Sequence, residues 1–192
     1  MNIVQTGFLA VTFGSLALMT EKLPAIEKAD YRVIQKSENF ELREYTPSIV
    51  AETLVKGDFE DAGSLAFRKL FKYISGENTS KDKIAMTSPV GQRSTKEGWA
   101  VSFMMPASYS IDTIPQPTDP RVVIREIPVY RAAVIHYSGR WTEKNYQEHL
   151  VLLQDWMGES KLQASGEPVW ARYDSPFKPW FMRHNEILIS VQ

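Results

Sequence analysis

The side chains best suited to chemistry crowd toward the end of this chain. Between Trp170 and Val191 stand Trp170, Tyr173, Phe177, Trp180 and Phe181, with Lys178 and Arg183 among them. Pro176 and Pro179 each fix φ and push the preceding residue toward extended geometry, so Ser175 to Trp180 is a stiff connection. An aromatic loop with a lysine at its tip suits a flat, apolar, anionic ligand, because rings contribute contact area and an ammonium a point charge. The alternative is a loop that packs down on its own protein, since large aromatics are mostly core.

Glu186 stands inside an apolar terminal run, so it must face either solvent or a pocket. In a pocket, a raised pKa would suit it to acid–base chemistry or to holding a cationic ligand. Glu44 and Glu126 have Arg43 and Arg125 beside them and read as structural ion pairs. Met86, Met104 and Met105 could offer thioethers to iron or copper, although methionine is more often a filler of irregular cores. His136, His149 and His184 are the only imidazoles, and no two are spaced as metalloenzyme ligands. No metal site and no catalytic residue is expected: there is no Ser-His-Asp order, phosphate loop or paired-carboxylate spacing. The absence of cysteine excludes disulfides, thiolate catalysis and cysteine-bound zinc or iron–sulfur sites. With 22 basic and 23 acidic residues and no basic patch, the chain lacks the footprint of a nucleic-acid binder.

The elements that must position these residues come from a repeat. Leu42 to Gly57 aligns with Ile124 to Gly139 at an offset of 82, as from Arg43 to Arg125. Each run is rich in β-branched and aromatic residues and carries a proline near its start, as a strand tolerates. A helical period follows each glycine. Asp58 is an N-cap candidate before Phe59, Ala62, Ala66, Phe67, Leu70, Phe71 and Ile74, with Gly76 as a stop. Thr142 caps the second stripe of Tyr146, Leu150, Leu153, Trp156 and Met157, with Gly158 as its stop. Extended runs complete each half, Ile84 to Gln92 and Trp99 to Met105, then Pro168 to Tyr173 and Asn185 to Val191. Ala107 to Pro120 connects the halves without an element of its own. Two βαββ units that would each leave an apolar face wet should merge, giving a pseudo-symmetric, distorted antiparallel β-barrel of the α+β class with two flanking helices. At 192 residues, a single domain and a monomer are expected.

Ile3 to Thr20 is an uncharged, mostly apolar run ending before Glu21 and Lys22. It reads as a signal peptide with small residues at Ser15-Leu16-Ala17, or as an uncleaved membrane anchor, or as a buried or interfacial segment. Export or membrane attachment is the expectation, with residues 1–27 as targeting segment and tether and residues 28–192 as the folded domain.

Three strings carry a resemblance: Lys83-Ile-Ala-Met-Thr-Ser-Pro-Val90, Val101-Ser-Phe-Met-Met-Pro106, and Tyr173-Asp-Ser-Pro-Phe-Lys-Pro179 followed by Arg183-His-Asn-Glu-Ile187. Over residues 28–192 the chain resembles the SOUL haem-binding protein family. The resemblance implies non-covalent binding of haem or a related tetrapyrrole in a shallow apolar groove between the first helix and the loop before the last strand. The residues it implies are Ser64, Phe67, Arg68, Leu70, Phe71 and Lys72 on the helix, and Tyr173, Phe177 and Lys178 on the loop. Lys72 and Lys178 stand at positions suited to the propionates. Two positions depart from the pattern. Ser64 replaces a helix arginine, leaving Arg68 as the substitute, and Glu44 stands where some members carry a histidine, so no strong axial protein ligand is expected. The implied role is to buffer, carry or present haem. The alternative is an enzyme on the same barrel, removing haem iron or hydrolysing a small molecule with Glu186 as acid–base. An unpaired, buried Glu186 favours the enzyme; one tied up by Arg183 or a backbone cap favours the binder.

Overall fold

Pro47 and Pro128 do more than mark strand starts. Each interrupts the backbone ladder of its repeat, so what reads in sequence as one long run is two strands. The first repeat gives β3 (Phe40–Tyr45) and β4 (Ser48–Val55); the second gives β8 (Val122–Ile127) and β9 (Tyr130–Tyr137). The computed structural model describes residues 26–192, and the apolar run with its signal or anchor reading lies outside the described residues. Among the described residues no helix is long and apolar enough to cross a membrane. Two short elements precede the repeat, β1 (Glu27–Lys28) and the exposed edge strand β2 (Tyr31–Ser37). Part of the expected tether is therefore built in: β1 pairs in parallel with β5 (Thr87–Ser88), and the Ala29 N–H donates to the Ser88 carbonyl.

The remaining strands are β6 (Val90–Thr95), β7 (Gly98–Met104), β10 (Val169–Arg172) and β11 (Asn185–Val191). The expected run over 84–92 starts later than its apolar residues suggest, because Ile84 belongs to the core beneath a loop. Nine strands form one antiparallel sheet in the order β2-β3-β9-β11-β10-β6-β7-β4-β8. Apart from β2, that order reads symmetrically about the β10–β6 contact. The register carries the same two-fold: Tyr45 faces Tyr130 and Ser48 faces Ile127, a pair of contacts exchanged by the offset of 82. The expected distorted barrel is thus a curled sheet made of two interlocked βαββ units.

Helix α1 (Phe59–Ile74) begins after Asp58, whose side chain makes no capping bond, and ends at Ser75 with Gly76 in the left-handed region at φ 114°. Helix α2 (Glu143–Glu159) is capped by Thr142, whose side chain accepts from the Asn145 N–H. It runs past Gly158, and the reversal falls on Lys161 at φ 55°. Both helices cover the same side of the sheet. Ala62, Ala66, Leu70 and Tyr73 of α1 pack on Ala51, Val101 and Phe103, while Leu153, Trp156 and Met157 of α2 pack on Ala133, Ile135 and Ile187. Phe59 of α1 belongs to the second core, its ring stacked 4.6 Å from Trp170 and 5.2 Å from Tyr146, and it meets edge-on Trp99, which packs against both cores. Aromatic pairs at these separations add about 0.5–1.5 kcal/mol beyond area burial. The start of α1 is thereby held fast against β10, and this fixes one wall of the site.

Candidate functional site

A groove of about 790 Å³ opens between α1, the end of β10 and the loop that follows it. Helical spacing explains the α1 wall. Ala62, Ala66, Leu70 and Tyr73 form the stripe turned to the core, so Glu60, Gly63, Ser64, Phe67 and Arg68 face the neighbouring side and line the groove. Met86, Ser88 and Val90 make the floor next to α1; Trp141, Trp170 and Arg172 make the inner wall. Tyr173 to Phe177 close the other side, with the Phe177 ring 94% exposed at the lip. The mostly apolar lining and the volume match small-molecule and cofactor sites, which span about 300–1,000 Å³.

Of the nine residues implied by the resemblance, Ser64, Phe67, Arg68, Tyr173 and Phe177 line this groove. Phe71 stacks beside Phe67 at 5.8 Å and extends the apolar surface beyond the groove wall. Leu70 does not reach it, because its position on the helix turns it fully into the core. Lys72 lies past the groove, with its ammonium 3.5 Å from the Glu77 carboxylate. Lys178 does not stand free at the rim as its proline-flanked position suggests. Its Nζ donates to Asp174 at 2.8 Å, and Asp174 also accepts from the His184 N–H. Arg183 completes the fastening by donating to the Lys178 and Pro176 carbonyls. The loop is therefore stiffened by its own polar contacts as well as by its prolines.

Sequence reasoning missed Gly63, Trp141 and Arg172. For Arg172 a signal existed: on β10, Trp170 and Arg172 alternate with Ala171 and so share a face. Trp141 reaches the groove from the segment before α2, held by its Nε1 donating to Asn185 at 2.8 Å, and nothing local in the sequence announces that.

Glu186 lies on the other face of the sheet and is 1% exposed. It is tied up, but not by Arg183 or a backbone cap. Arg43 of β3 forks onto both its oxygens at 3.0 and 2.9 Å, the Tyr173 hydroxyl donates at 2.7 Å, and His184 Nε2 lies at 2.9 Å. Burial by itself would raise this carboxyl, yet the hydrogen bonds from His184, Arg43 and Tyr173 outweigh it and hold it at about 2. Burial and the Glu186 charge push the Tyr173 hydroxyl far up, so it stays a donor. A carboxylate enclosed in this way and ionised at neutral pH cannot act as an acid–base group with a raised pKa, and the expectation of such a role is corrected. The pairing expected between neighbouring residues is corrected too. Adjacent strand positions face opposite sides, so Arg43 turns to Glu41 and Glu186 while Glu44 pairs across strands with Arg32 and Arg131.

A second hollow of about 820 Å³, between β1 and the connector after β7, has Glu27, Asp30, Asp112 and Glu126 on its walls. Four carboxylates repel an anionic ligand, so the groove beside α1 is the better match. Among the described residues no group of three His, Asp or Glu side chains is arranged to hold a metal.

The fold and groove define a pseudo-symmetric α+β barrel with a mostly apolar groove on its helical side. A family model described as SOUL heme-binding protein matches residues 26–190, and the chain belongs to that family. It is 28% identical over 183 residues to heme-binding protein 1 of Xenopus tropicalis, covering 83% of this chain and 94% of the relative. To heme-binding protein 2 of Homo sapiens it is 30% identical over 159 residues, covering 78% and 76%. Among solved structures, the EcmrR C-terminal domain superimposes with a TM-score of 0.63 at 13% identity, covering 84% of this chain and 98% of that one. A hydrolase from Listeria innocua superimposes with a TM-score of 0.56 at 10% identity, covering 83% and 94%. At such identities the two structures show a shared fold alone.

Proposed function

We propose that this protein binds haem or a related tetrapyrrole non-covalently in the groove beside α1, and that it buffers, carries or presents the bound molecule. The observation that supports this most is the groove itself, because apolar walls built by Phe67, Val90, Trp141 and Trp170 surround a single inner-wall cation. Membership of the SOUL heme-binding family supports the same ligand class. The residues present fit such a group: rings for its faces, cations for its acids. Among the described residues no histidine lines the groove and Met86 is its one sulfur, so the reading includes weak or no axial ligation. Iron, when bound, would supply redox and ligation chemistry; the chain's own residues bind, orient and partly exclude water.

At roughly 25 cal/mol per Å² of buried apolar area, less the cost of association, an open groove supports affinity on the order of micromolar. One chain forms every wall, so a monomer suffices. Residues 3–20 would place the binder in an exported or membrane-attached setting. Titrating the purified protein with ferric haem should give a saturable change in the Soret band. Phe67→Ala should weaken it by about 1–3 kcal/mol, with little dependence on salt. No spectral change up to tens of micromolar haem would refute the proposal.

A further inference from the structure

The inner wall of the groove holds a cation that has no counter-ion among the described residues. Arg172 lies with its guanidinium carbon 4.7 Å from the Trp170 ring centroid and 5.5 Å from that of Trp141. Among the described residues its one acceptor is the Gln92 side-chain oxygen, 3.2 Å from Nη2, and its Nε is buried with no partner there. Arg43, Arg93 and Arg125, by contrast, all reach carboxylates within 3.0 Å. The groove's own acids do not serve. Asp174 is taken by Lys178, and among the described residues no carboxylate lies within ion-pairing distance of Arg172. Burial pushes the guanidinium down to about 10, which still leaves it charged at neutral pH. A partly buried, charged donor whose buried Nε is unsatisfied is costly, and native proteins rarely keep one without a partner.

Gly63 points the same way. Glycine inside a helix is unfavourable relative to alanine, and Gly63 has no positive φ to justify it. A Cβ at that position would lie 2.7 Å from Arg172 Nη1 and 2.9 Å from Nη2. Helix α1 therefore gives up propensity so that the guanidinium can lie against its backbone, facing the groove.

We propose that Arg172 is the carboxylate anchor of the groove, pairing with an acid group of a planar, apolar ligand whose ring plane lies among Phe67, Trp141 and Trp170. This rests on the groove being the ligand site. It moves the acid-recognising charge from the rim to the inner wall, and it accords with both rim candidates, Lys72 and Lys178, being engaged by Glu77 and Asp174. A fork of guanidinium donors matches a carboxylate in two parallel hydrogen bonds, as an ammonium does not. The ligand class is consequently a tetrapyrrole or comparable polycycle with a free carboxylate near one edge.

The test uses protoporphyrin IX and its dimethyl ester, both without iron so that ligation plays no part. Binding is followed by quenching of tryptophan fluorescence in wild type, Arg172→Met, Arg172→Lys and Gly63→Ala. Wild type should prefer the diacid at least tenfold. Arg172→Met should bind the two equally, with a melting temperature no lower than wild type, since it removes a charge that no acid satisfies. Arg172→Lys should recover only part of the preference. Gly63→Ala keeps the charge and improves the helix, yet should lose preference by displacing the guanidinium. If wild type binds the diacid and the preference survives in Arg172→Met, the anchor is overturned and the groove reading stands. If wild type binds neither porphyrin, both fall. Should Arg172→Met fail to fold, an unchanged preference in Gly63→Ala overturns the anchor.

Discussion

Replacing Glu186 by glutamine keeps its shape and removes its charge, leaving Arg43 buried at 3% side-chain exposure with Glu41 as its remaining acid. Breaking one side of a buried pair typically costs about 3–5 kcal/mol, and the surviving contact to Glu41 at 2.7 Å puts this case at the lower end. Linkage leads to a similar figure. The carboxyl falls from an ordinary 4.5 to about 2 on folding, worth roughly 3 kcal/mol at about 1.4 kcal/mol per decade. For a chain of this size that is a loss of roughly 6–12 °C in melting temperature at pH 7. The sign fixes the pH window. A carboxyl depressed by folding contributes fully above its ordinary value, and the contribution is lost as pH falls from about 4.5 to about 2. Wild type and Glu186→Gln should therefore differ most above pH 5 and converge toward pH 2, as read by urea or thermal melts. Haem titration should be nearly unchanged, because Glu186 itself is on the face opposite the groove and glutamine can still accept from the hydroxyl of the groove residue Tyr173. The reasoning is refuted if the variant is as stable as wild type at pH 7, or if it keeps stability and loses binding, which would make Glu186 part of the site. A double replacement, Arg43→Met with Glu186→Leu, should recover most of the loss.

Lys178→Glu sets a second carboxylate beside Asp174 and should loosen the loop more than the fold. The pair is partly exposed, so the stability loss should stay at or below about 1 kcal/mol, while amide exchange over residues 175–183 quickens; unchanged exchange there would show that the prolines alone hold the loop. Removing residues 1–25 should leave the melting temperature of the domain unaltered. Removing residues 1–30 takes away β1, its pairing with β5 and the Glu27 bond to the Ala107 N–H, so a further loss of about 1–3 kcal/mol is expected. Equal melting of the two truncations would place the domain start after residue 30.

Local pattern decided the elements because their signals are local. The 3.6-residue stripe from Phe59 to Ile74 and the apolar run from Asn185 to Val191 are α1 and β11, and the offset of 82 survives in the register that pairs Tyr45 with Tyr130 and Ser48 with Ile127. The stiff aromatic loop was legible as well, since proline restricts its neighbours wherever it occurs. Partners were not. Glu186 and Arg43 are 143 residues apart, and only the β3-β9-β11 order brings them together. Whether Lys178 stood free or folded back depended on Asp174 offering it one carboxylate oxygen while the other takes the His184 N–H. Leu70 and Phe67 look alike on an amphipathic stripe, and the direction from which the sheet covers α1 made one core and the other groove. Arg172 needed most of the fold at once: a glycine on α1, Gln92 on β6 and two tryptophans from separate segments make its pocket. Periodicity records which way a side chain points along its own element, whereas charge pairing and pocket walls depend on what the other elements place opposite, and that is decided only in three dimensions.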